Sequence, residues 1–376
     1  MKYTGFKFYL LAIFAAIIIF TNLGSIPLLD PDEPVYGQTP KEMIATGDYV
    51  SPRIYGDYWY DKPPMYYWLV AASYKIFGLS EFAARFPAAL FAVLGLLVVY
   101  VSARKLFNER VAFSSALILL TSLEYIYLSK AAVTDMTLCF FLTGSLLAFL
   151  LKRYYWFYVF AALAVLTKGP IGILFPLLIA GIYILLTKQW PILRQMKLFS
   201  GFALFLVLAL PWYLIMYNIH GQIFFETFFG FHNVTRFMAP EHTSTEMWYF
   251  FMPVLIAGFF PWSAALAQSV SASLSASNAV DKKSLVFLNI WAWFVFLFFT
   301  LSHTKLVSYI LPMWPPLAII AAWYIDQRWH DYKNYCSGWS LTLLVLVTAS
   351  LGGLWYGAQK FPELIVGIVA VGALLT

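Results

Sequence analysis

Charge is what this chain has least of. Only 11% of its 376 residues are Asp, Glu, Lys or Arg, where soluble proteins carry about 25%. Against that scarcity, 62% are hydrophobic and 20% aromatic. A soluble fold of this size cannot bury so much apolar surface, so its solvent is lipid. Soluble multidomain enzymes and disordered chains are excluded on composition alone. Cysteine is nearly absent. Cys139 lies in an apolar run and Cys336 in a basic connecting segment, so two separate reduced thiols are expected and a disulfide scaffold is excluded. There is no internal repeat, the signature of many secondary transporters. Nor are basic and aromatic residues interleaved as nucleic-acid binding requires. The first apolar run follows Lys2 and Lys7 as a secretory leader would, but no small-residue cleavage site ends it, so an uncleaved anchor is expected.

What is present is a series of apolar runs near the roughly 20 residues a helix needs to cross a bilayer. They cover about 8–27, 82–103, 111–128, 132–151, 155–167, 170–187, 198–217, 247–267, 284–301, 308–325, 339–356 and 364–376, about twelve in all. The fold class that follows is an all-α polytopic membrane protein, one module over 1–376. The fifth and sixth runs meet at Gly169-Pro170, where a tight re-entrant turn at one face is expected. The last run has about 13 residues, so the expectation is a short product or a C-terminus cut short. With the N-terminus inside, fourteen of the 24 Lys and Arg face the cytoplasm, with only the acids Glu109, Asp281, Asp326 and Asp331. The net charge of +6 thus splits into a basic inside and an acidic outside, a topology signal that points to membrane lipids and to no nucleic acid.

The remaining polar residues gather on the outer face. Two long outer loops, about 28–81 and 218–246, stand among short connections, and long loops in an economical chain usually carry function. The first is the most acidic part of the protein. Short interfacial helices are expected in it around 42–45 and 65–70. Tyr58, Trp59, Tyr60 and Trp68 read first as an interfacial aromatic belt and second as a sugar-stacking surface. Four ionisable residues fall within or at the ends of apolar runs: Glu124, Asp135, Lys168 and Lys305. A charge at the centre of a span costs about 2.5–3.5 kcal/mol on insertion scales. Each of the four by itself can snorkel to the interface. Four at one face, beside an acidic loop, favour a shared polar cavity.

Several motifs occur in a telling order. After the first run comes Leu29-Asp30-Pro31-Asp32-Glu33-Pro34-Val35-Tyr36, then Gly47-Asp48-Tyr49-Val50-Ser51-Pro52-Arg53, then Tyr60-Asp61-Lys62-Pro63-Pro64. Thr134-Asp135-Met136, Leu166-Thr167-Lys168-Gly169-Pro170, Phe231-His232-Asn233-Val234-Thr235-Arg236-Phe237 and Lys305 through Pro312 follow. In this order they resemble the GT-C glycosyltransferases, membrane enzymes that use a polyprenyl-phosphate sugar as donor. Nearest in pattern are the bacterial aminoarabinose transferases of lipid A and the dolichyl-phosphate-mannose-protein mannosyltransferases. The resemblance runs from residue 1 to about 325. It departs at Val35, where members often carry Arg, and at Asp61, where the aminoarabinose transferase has Glu. It implies a GT-C fold whose large first outer loop carries short interfacial helices. It also implies an inverting transfer from undecaprenyl phosphate to lipid A, a glycan or a protein, at the periplasmic or exterior face of a bacterial inner membrane. A polytopic transporter or flippase of lipid-linked sugars is the alternative.

The chemistry assigns roles. Negative charge grows on the leaving phosphate, and preorganised cations in a dry cavity stabilise it by several kcal/mol. Lys62 and Lys168 are the expected phosphate ligands, with Arg236 and Lys305 behind them. Asp32 is the expected general base or acceptor-positioning group; a low-dielectric cavity would raise its pKa unless the lysines hold it down. Glu33 stands with it as a catalytic candidate, but neighbours on an extended segment face opposite ways, which favours a structural role. Asp135 is expected to orient Lys62 or the donor head group. Retaining chemistry would instead need a carboxylate nucleophile. By the resemblance, Asp61 and His232 match metal-ligand positions, and carboxylate with imidazole suits zinc or manganese. His220 and His242 share the loop with His232, but no His-x-x-x-His spacing is present, and a hydrogen-bonded interfacial histidine is the competing reading.

Overall fold

In lipid, backbone polar groups must find partners within the segment, so apolar runs close into helices. The computed structural model describes residues 2–235, 247–328 and 348, and these are mostly helical. The chain opens with α1 (Lys2–Phe20) and α2 (Asp32–Thr46). A small antiparallel hairpin follows, β1 (Arg53–Ile54) and β2 (Asp57–Tyr58), with Arg53 opposite Tyr58. Then come α3 (Met65–Phe77), α4 (Glu81–Leu106), α5 (Glu109–Thr121), α6 (Leu123–Ser129), α7 (Thr134–Leu150), α8 (Tyr154–Lys168) and α9 (Ile171–Thr187). The second half carries α10 (Pro191–Gln195), α11 (Leu198–His220), α12 (Gln222–Phe225) and a π-helical segment, Glu226–Thr235. It continues through α13 (Phe251–Gly258), a 3₁₀ turn at Trp262–Ala265, α14 (Leu266–Leu274), α15 (Ala279–Leu301), a 3₁₀ stretch at Val307–Met313 and α16 (Trp314–Arg328).

Four helical stretches are long and apolar enough to cross a membrane singly: Glu81–Leu106, Leu198–His220, Asp281–Leu301 and Val307–Arg328. Two bent pairs raise that to six. The run expected as one span at 111–128 is broken between α5 and α6 by a 68° bend. There Ser122 Oγ bonds back to the Ile118 carbonyl at 2.7 Å and Thr121 Oγ1 to Leu117 at 2.6 Å, a pattern that bends helices. The run expected at 247–267 turns by 109° between α13 and the Trp262–Leu274 stretch, where Pro261 leaves no amide to continue the ladder. The two breaks meet: Leu123 N donates to the Phe260 carbonyl at 3.3 Å and Trp262 Nε1 to Thr121 Oγ1 at 2.8 Å. The expected spans at 339–356 and 364–376 lie outside the described residues, as does Cys336. Cys139 is buried and free.

The centre of the bundle is α7, buried along almost its whole length and packed against α4, α8 and α9. Close approach is set by glycines. A Cβ on Gly172 would stand 2.3 Å from Val165 N and 2.4 Å from the Ala164 carbonyl carbon, so α8 and α9 pack backbone to backbone just past the Gly169-Pro170 turn. Side-chain caps fix the helix starts: Ser80 accepts from Ala83 N for α4, and Asn108 from Val111 N for α5.

Candidate active site

α7 opens with Asp135 near its start and α8 closes on Lys168. The two helices are consecutive and joined by a short turn, so these residues arrive at the same end of the bundle. Lys168 Nζ stands 2.7 Å from Asp135 Oδ1. The same ammonium lies 4.9 Å over the Tyr309 ring, which the 3₁₀ stretch after Lys305 presents. Beside this pair sits a second: Lys62 Nζ is 2.7 Å from Asp61 Oδ1, and His232 Nδ1 is 2.7 Å from that same oxygen. His232 and Phe229 come from the π-helical segment. All of these open onto one cavity of about 480 Å³. Its remaining wall is apolar, including Leu138, Leu174 and Phe298, with the polar groups of Ser302, Thr304 and Ser308. Burial would raise the Asp61 carboxyl, but Lys62 and His232 beside it outweigh burial and hold it well below the usual carboxylate range.

The first outer loop packs down on this end. Trp212 Nε1 of α11 donates to the Val50 carbonyl at 2.9 Å, and Trp68 Nε1 of α3 to the Tyr49 carbonyl at 2.6 Å. Asp48 accepts from the amides of Val50 and Ser51 and pairs with Arg53 at 3.1 Å. Glu42 holds the hairpin turn through the amides of Tyr55 and Gly56. Asp32 and Glu33 occupy the first turn of α2. Asp32 is exposed and close enough to the cavity to feel its charges. Partial desolvation by the surrounding chain raises its carboxyl above the usual aspartate value and Asp135 adds to the rise, while Lys168 and Lys62 pull it back.

Glu33 points elsewhere. It is buried and accepts from Arg85 Nε at 2.9 Å and Nη2 at 2.7 Å, from Ala132 N at 2.6 Å and from Leu29 N at 2.7 Å. Arg85 also donates to the carbonyls of Leu23, Ile26 and Pro27. This clamp ties the end of the first helix, the start of α2, α4 and the segment just before Asp135 into one node.

Of the four membrane-embedded groups expected to share a cavity, only Asp135 and Lys168 line it. Lys305 is buried behind the wall and donates to the Ser302 carbonyl at 2.6 Å. Glu124 is buried at the junction of the two bent pairs, against Gly258 and Trp314. Asp135, expected to orient Lys62 or the donor head group, pairs with Lys168, while Lys62 pairs with its chain neighbour Asp61. Arg236 and His242 lie outside the described residues. His220 serves the loop instead: Nε2 is 2.8 Å from Ser51 Oγ and Nδ1 3.0 Å from Tyr60 OH. Tyr309 lay within the Lys305–Pro312 motif but was given no role from sequence; it lines the cavity together with Phe229, Phe298 and Ser308, which sequence reasoning did not single out.

For zinc or manganese, Asp61 and His232 are the right donor types. Among the described residues no third His, Cys, Asp or Glu joins them. Asp61 Oδ1 is also committed to Lys62, whereas catalytic zinc sites bring three protein ligands. Among the described residues this two-donor set, with one Asp61 oxygen shared with Lys62, is smaller than the three ligands of a catalytic zinc site.

A helical membrane bundle, a long outer loop folded over one end and paired lysines and carboxylates in an apolar-walled cavity together define a membrane glycosyltransferase of the GT-C type. Residues 61–215 match the family model of the dolichyl-phosphate-mannose-protein mannosyltransferases. An uncharacterized protein of Aquifex aeolicus is 32% identical over 366 residues, covering 95% of this chain and 72% of that protein. The undecaprenyl phosphate-alpha-4-amino-4-deoxy-L-arabinose arabinosyl transferase 2 of Pseudomonas fluorescens is 31% identical, covering 90% of this chain and 63% of the relative. ArnT of Cupriavidus metallidurans, solved bound to undecaprenyl phosphate, superposes with a TM-score of 0.84 at 27% identity, over 93% of this chain and 64% of that one. The chain thus spans about two thirds of the length of these relatives. It belongs to the GT-C family of aminoarabinose transferases and protein mannosyltransferases, and it is an integral membrane protein.

Proposed function

We propose that this chain transfers a sugar, with inversion, from a polyprenyl phosphate to a cell-envelope acceptor: lipid A, a glycan or a protein. Undecaprenyl phosphate is the first donor carrier to test, since it is named in relatives that match by sequence and by fold. The topology proposed is the twelve-span one, in a bacterial inner membrane, with the cavity facing the periplasm or exterior. The observation that carries the reading is the convergence of Lys62 and Lys168 on one cavity with apolar walls. Two ammoniums there meet the charge that grows on a departing phosphate, and the apolar wall suits a prenyl chain. Asp61 and Asp135 hold the two lysines in place before substrate arrives. Arg236 is proposed as a further phosphate ligand, with Lys305 supporting the wall from behind. Asp32, at the open side, takes the proton of an acceptor hydroxyl as it attacks the anomeric carbon opposite the phosphate. Glu33 acts with it by fixing the first turn of α2.

The test is transfer of labelled sugar from undecaprenyl-phosphate sugar in detergent, with Asp32→Asn beside the unaltered protein. Loss of about 10²-fold or more is expected for removing a general base. Because Asp32 is raised above the usual aspartate value, activity should fall as pH drops through that raised value, and the variant should lack this limb. Full activity in Asp32→Asn would refute the assigned role. Movement of lipid-linked sugar across proteoliposomes with no covalent product would overturn the whole reading in favour of a flippase. Zinc or manganese at Asp61 and His232 is tested in the same assay by chelation and metal return. Mass spectrometry of envelope lipids, glycans and proteins with and without the gene names the acceptor.

A further inference from the structure

From Met136 to Phe225 the chain contains no Asp or Glu, while it contains Lys152, Arg153, Lys168, Lys188, Arg194 and Lys197. Lys168 serves the cavity. The other five lie at the far end of the same helices. α7 runs from Asp135 at the cavity to Leu150, α8 from Tyr154 back to Lys168, and α9 from Ile171 in the cavity wall to Thr187. At 1.5 Å per residue their far ends stand about 22–26 Å away. All five cations are exposed there.

The basic excess expected on one side of a membrane protein needs no particular arrangement. This end has one. Lys197 Nζ lies 4.8 Å over the Tyr155 ring, and Tyr155 OH is 3.3 Å from Ser200 Oγ. Beneath them, Tyr158 OH donates to the Met196 carbonyl at 3.2 Å, anchoring the α10–α11 connection onto α8. Gln189 Nε2 donates to Tyr183 OH at 3.0 Å, fixing the turn after α9. Lys152, Lys188 and Lys197 have φ of 56°, 54° and 50°. That left-handed conformation costs a side-chain-bearing residue energy that Gly avoids. Yet all three such turns at this end carry Lys. Around them Trp190 is 54% exposed, Trp156 57% and Phe199 96%. Such rings are at home among lipid head groups and upper acyl chains.

We propose that this corner is a binding site for the phosphate of an anionic phospholipid, such as phosphatidylglycerol, in the leaflet away from the cavity. Arg194 and Lys197 hold the head group, the Tyr155 and Ser200 hydroxyls flank it, and Trp190 and Phe199 lie along its acyl chains. The site is independent of the transfer reaction, so its failure leaves the proposed function untouched.

The test is native mass spectrometry of the full chain released from neutral detergent, counting retained phosphatidylglycerol against phosphatidylcholine. The pair Arg194→Gln with Lys197→Gln is set beside a charge-matched control, Lys41→Gln with Lys105→Gln, which removes exposed cations on α2 and at the end of α4. An anionic surface attracts each nearby Lys or Arg by an amount equivalent to about fivefold in affinity. The double variant is therefore expected to lose roughly 25-fold in phosphatidylglycerol retention, and the control to match the unaltered protein. Equal retention of the two lipids, or equal losses in both variants, overturns the proposal. So does displacement of the lipid by millimolar inorganic phosphate, which would mark a site for free phosphate. Unchanged thermal midpoints of both variants in neutral detergent separate lost binding from lost folding.

Discussion

Glu33 is the residue whose replacement most sharply separates holding the site from doing its chemistry. Its carboxylate accepts four hydrogen bonds, two from Arg85 and two from backbone amides. The Arg85 and Glu33 side chains are only 2% and 5% exposed. Removing one partner of a buried ion pair leaves the other charge uncompensated and costs about 3–5 kcal/mol. In Glu33→Ala the Arg85 guanidinium would keep only the neutral carbonyls of Leu23, Ile26 and Pro27. At about 2.1 cal/mol/K of unfolding entropy per residue, a chain of 376 residues loses about 1.3 °C of Tm per kcal/mol, so a fall of roughly 4–6 °C is expected by scanning fluorimetry in detergent. Glu33→Gln keeps the size and two acceptor sites and should fall between. The pH dependence has a definite sign. Burial opposes the charged form, but Arg85 and the amides of Ala132 and Leu29 outweigh it and lower the carboxyl. The contribution is therefore fully present above the unfolded value near 4.5 and is lost as pH falls through the lower folded value. Asp32→Asn, by contrast, should lose activity with little change in Tm. A Glu33→Ala protein that melts within a degree of the unaltered one would refute the clamp.

Three further outcomes follow from the same geometry. Lys168→Ala removes one of the two cavity ammoniums and leaves Asp135 without its 2.7 Å partner; transfer should fall about 10²–10³-fold, with Lys168→Arg recovering part of it, as read by kcat and KM. Gly172→Ala forces a methyl into backbone atoms 2.3–2.4 Å away. Overpacking of this kind costs about 1–3 kcal/mol, so a lower Tm should accompany lost activity through displacement of the end of α8. His220 sits between Ser51 and Tyr60. His220→Gln keeps a polar side chain but cannot reach both partners, so looser anchoring of the outer loop should lower Tm by a few degrees in scanning fluorimetry, and an unchanged Tm would refute the anchoring role.

The membrane character, the helical class and the two ends of α4 were legible because hydropathy and charge act locally along the chain. The 68° break at Ser122 was not, since Ser-Leu carries no obvious breaker and the bend depends on hydroxyls turning back onto their own helix. The 109° break was not legible either, since 247–267 reads as one apolar run and the turn needs the two breaks to pack on each other. Within the site, Asp135 and Lys168 were legible as costly charges at span ends. Their mutual pairing was not, because it depends on α7 and α8 running back along each other. Glu124 and Lys305 carry the same sequence signature as that pair and are buried without lining the cavity. Hydropathy registers that a charge is embedded, and it carries no information on which side of a helix the charge lies. Arg85 is one more charge among apolar neighbours near the start of α4, and only the loop folding back brings Glu33 to it.

The pairing of each cavity lysine with a carboxylate has a consequence for the reaction. A bare ammonium in an apolar-walled cavity would tend to shed its proton, since burial disfavours the charged form. Asp61 and Asp135 each sit 2.7 Å from an ammonium and so keep it charged before a donor arrives. The same carboxylates weaken the field that an incoming phosphate meets, so they favour the lysine positions more than they favour ground-state binding. In the proposed reaction, the lysines would shift their hydrogen bonds from carboxylate to phosphate as the sugar–phosphate bond breaks and charge accumulates on the phosphate. Stabilisation then grows with the charge, which is the differential that accelerates the step. Replacing Asp61 with Asn should therefore strengthen the field at the donor phosphate while loosening Lys62. Lower KM together with lower kcat is the expected pattern, and a fall in kcat with unchanged or raised KM would show that Asp61 does no more than maintain the fold.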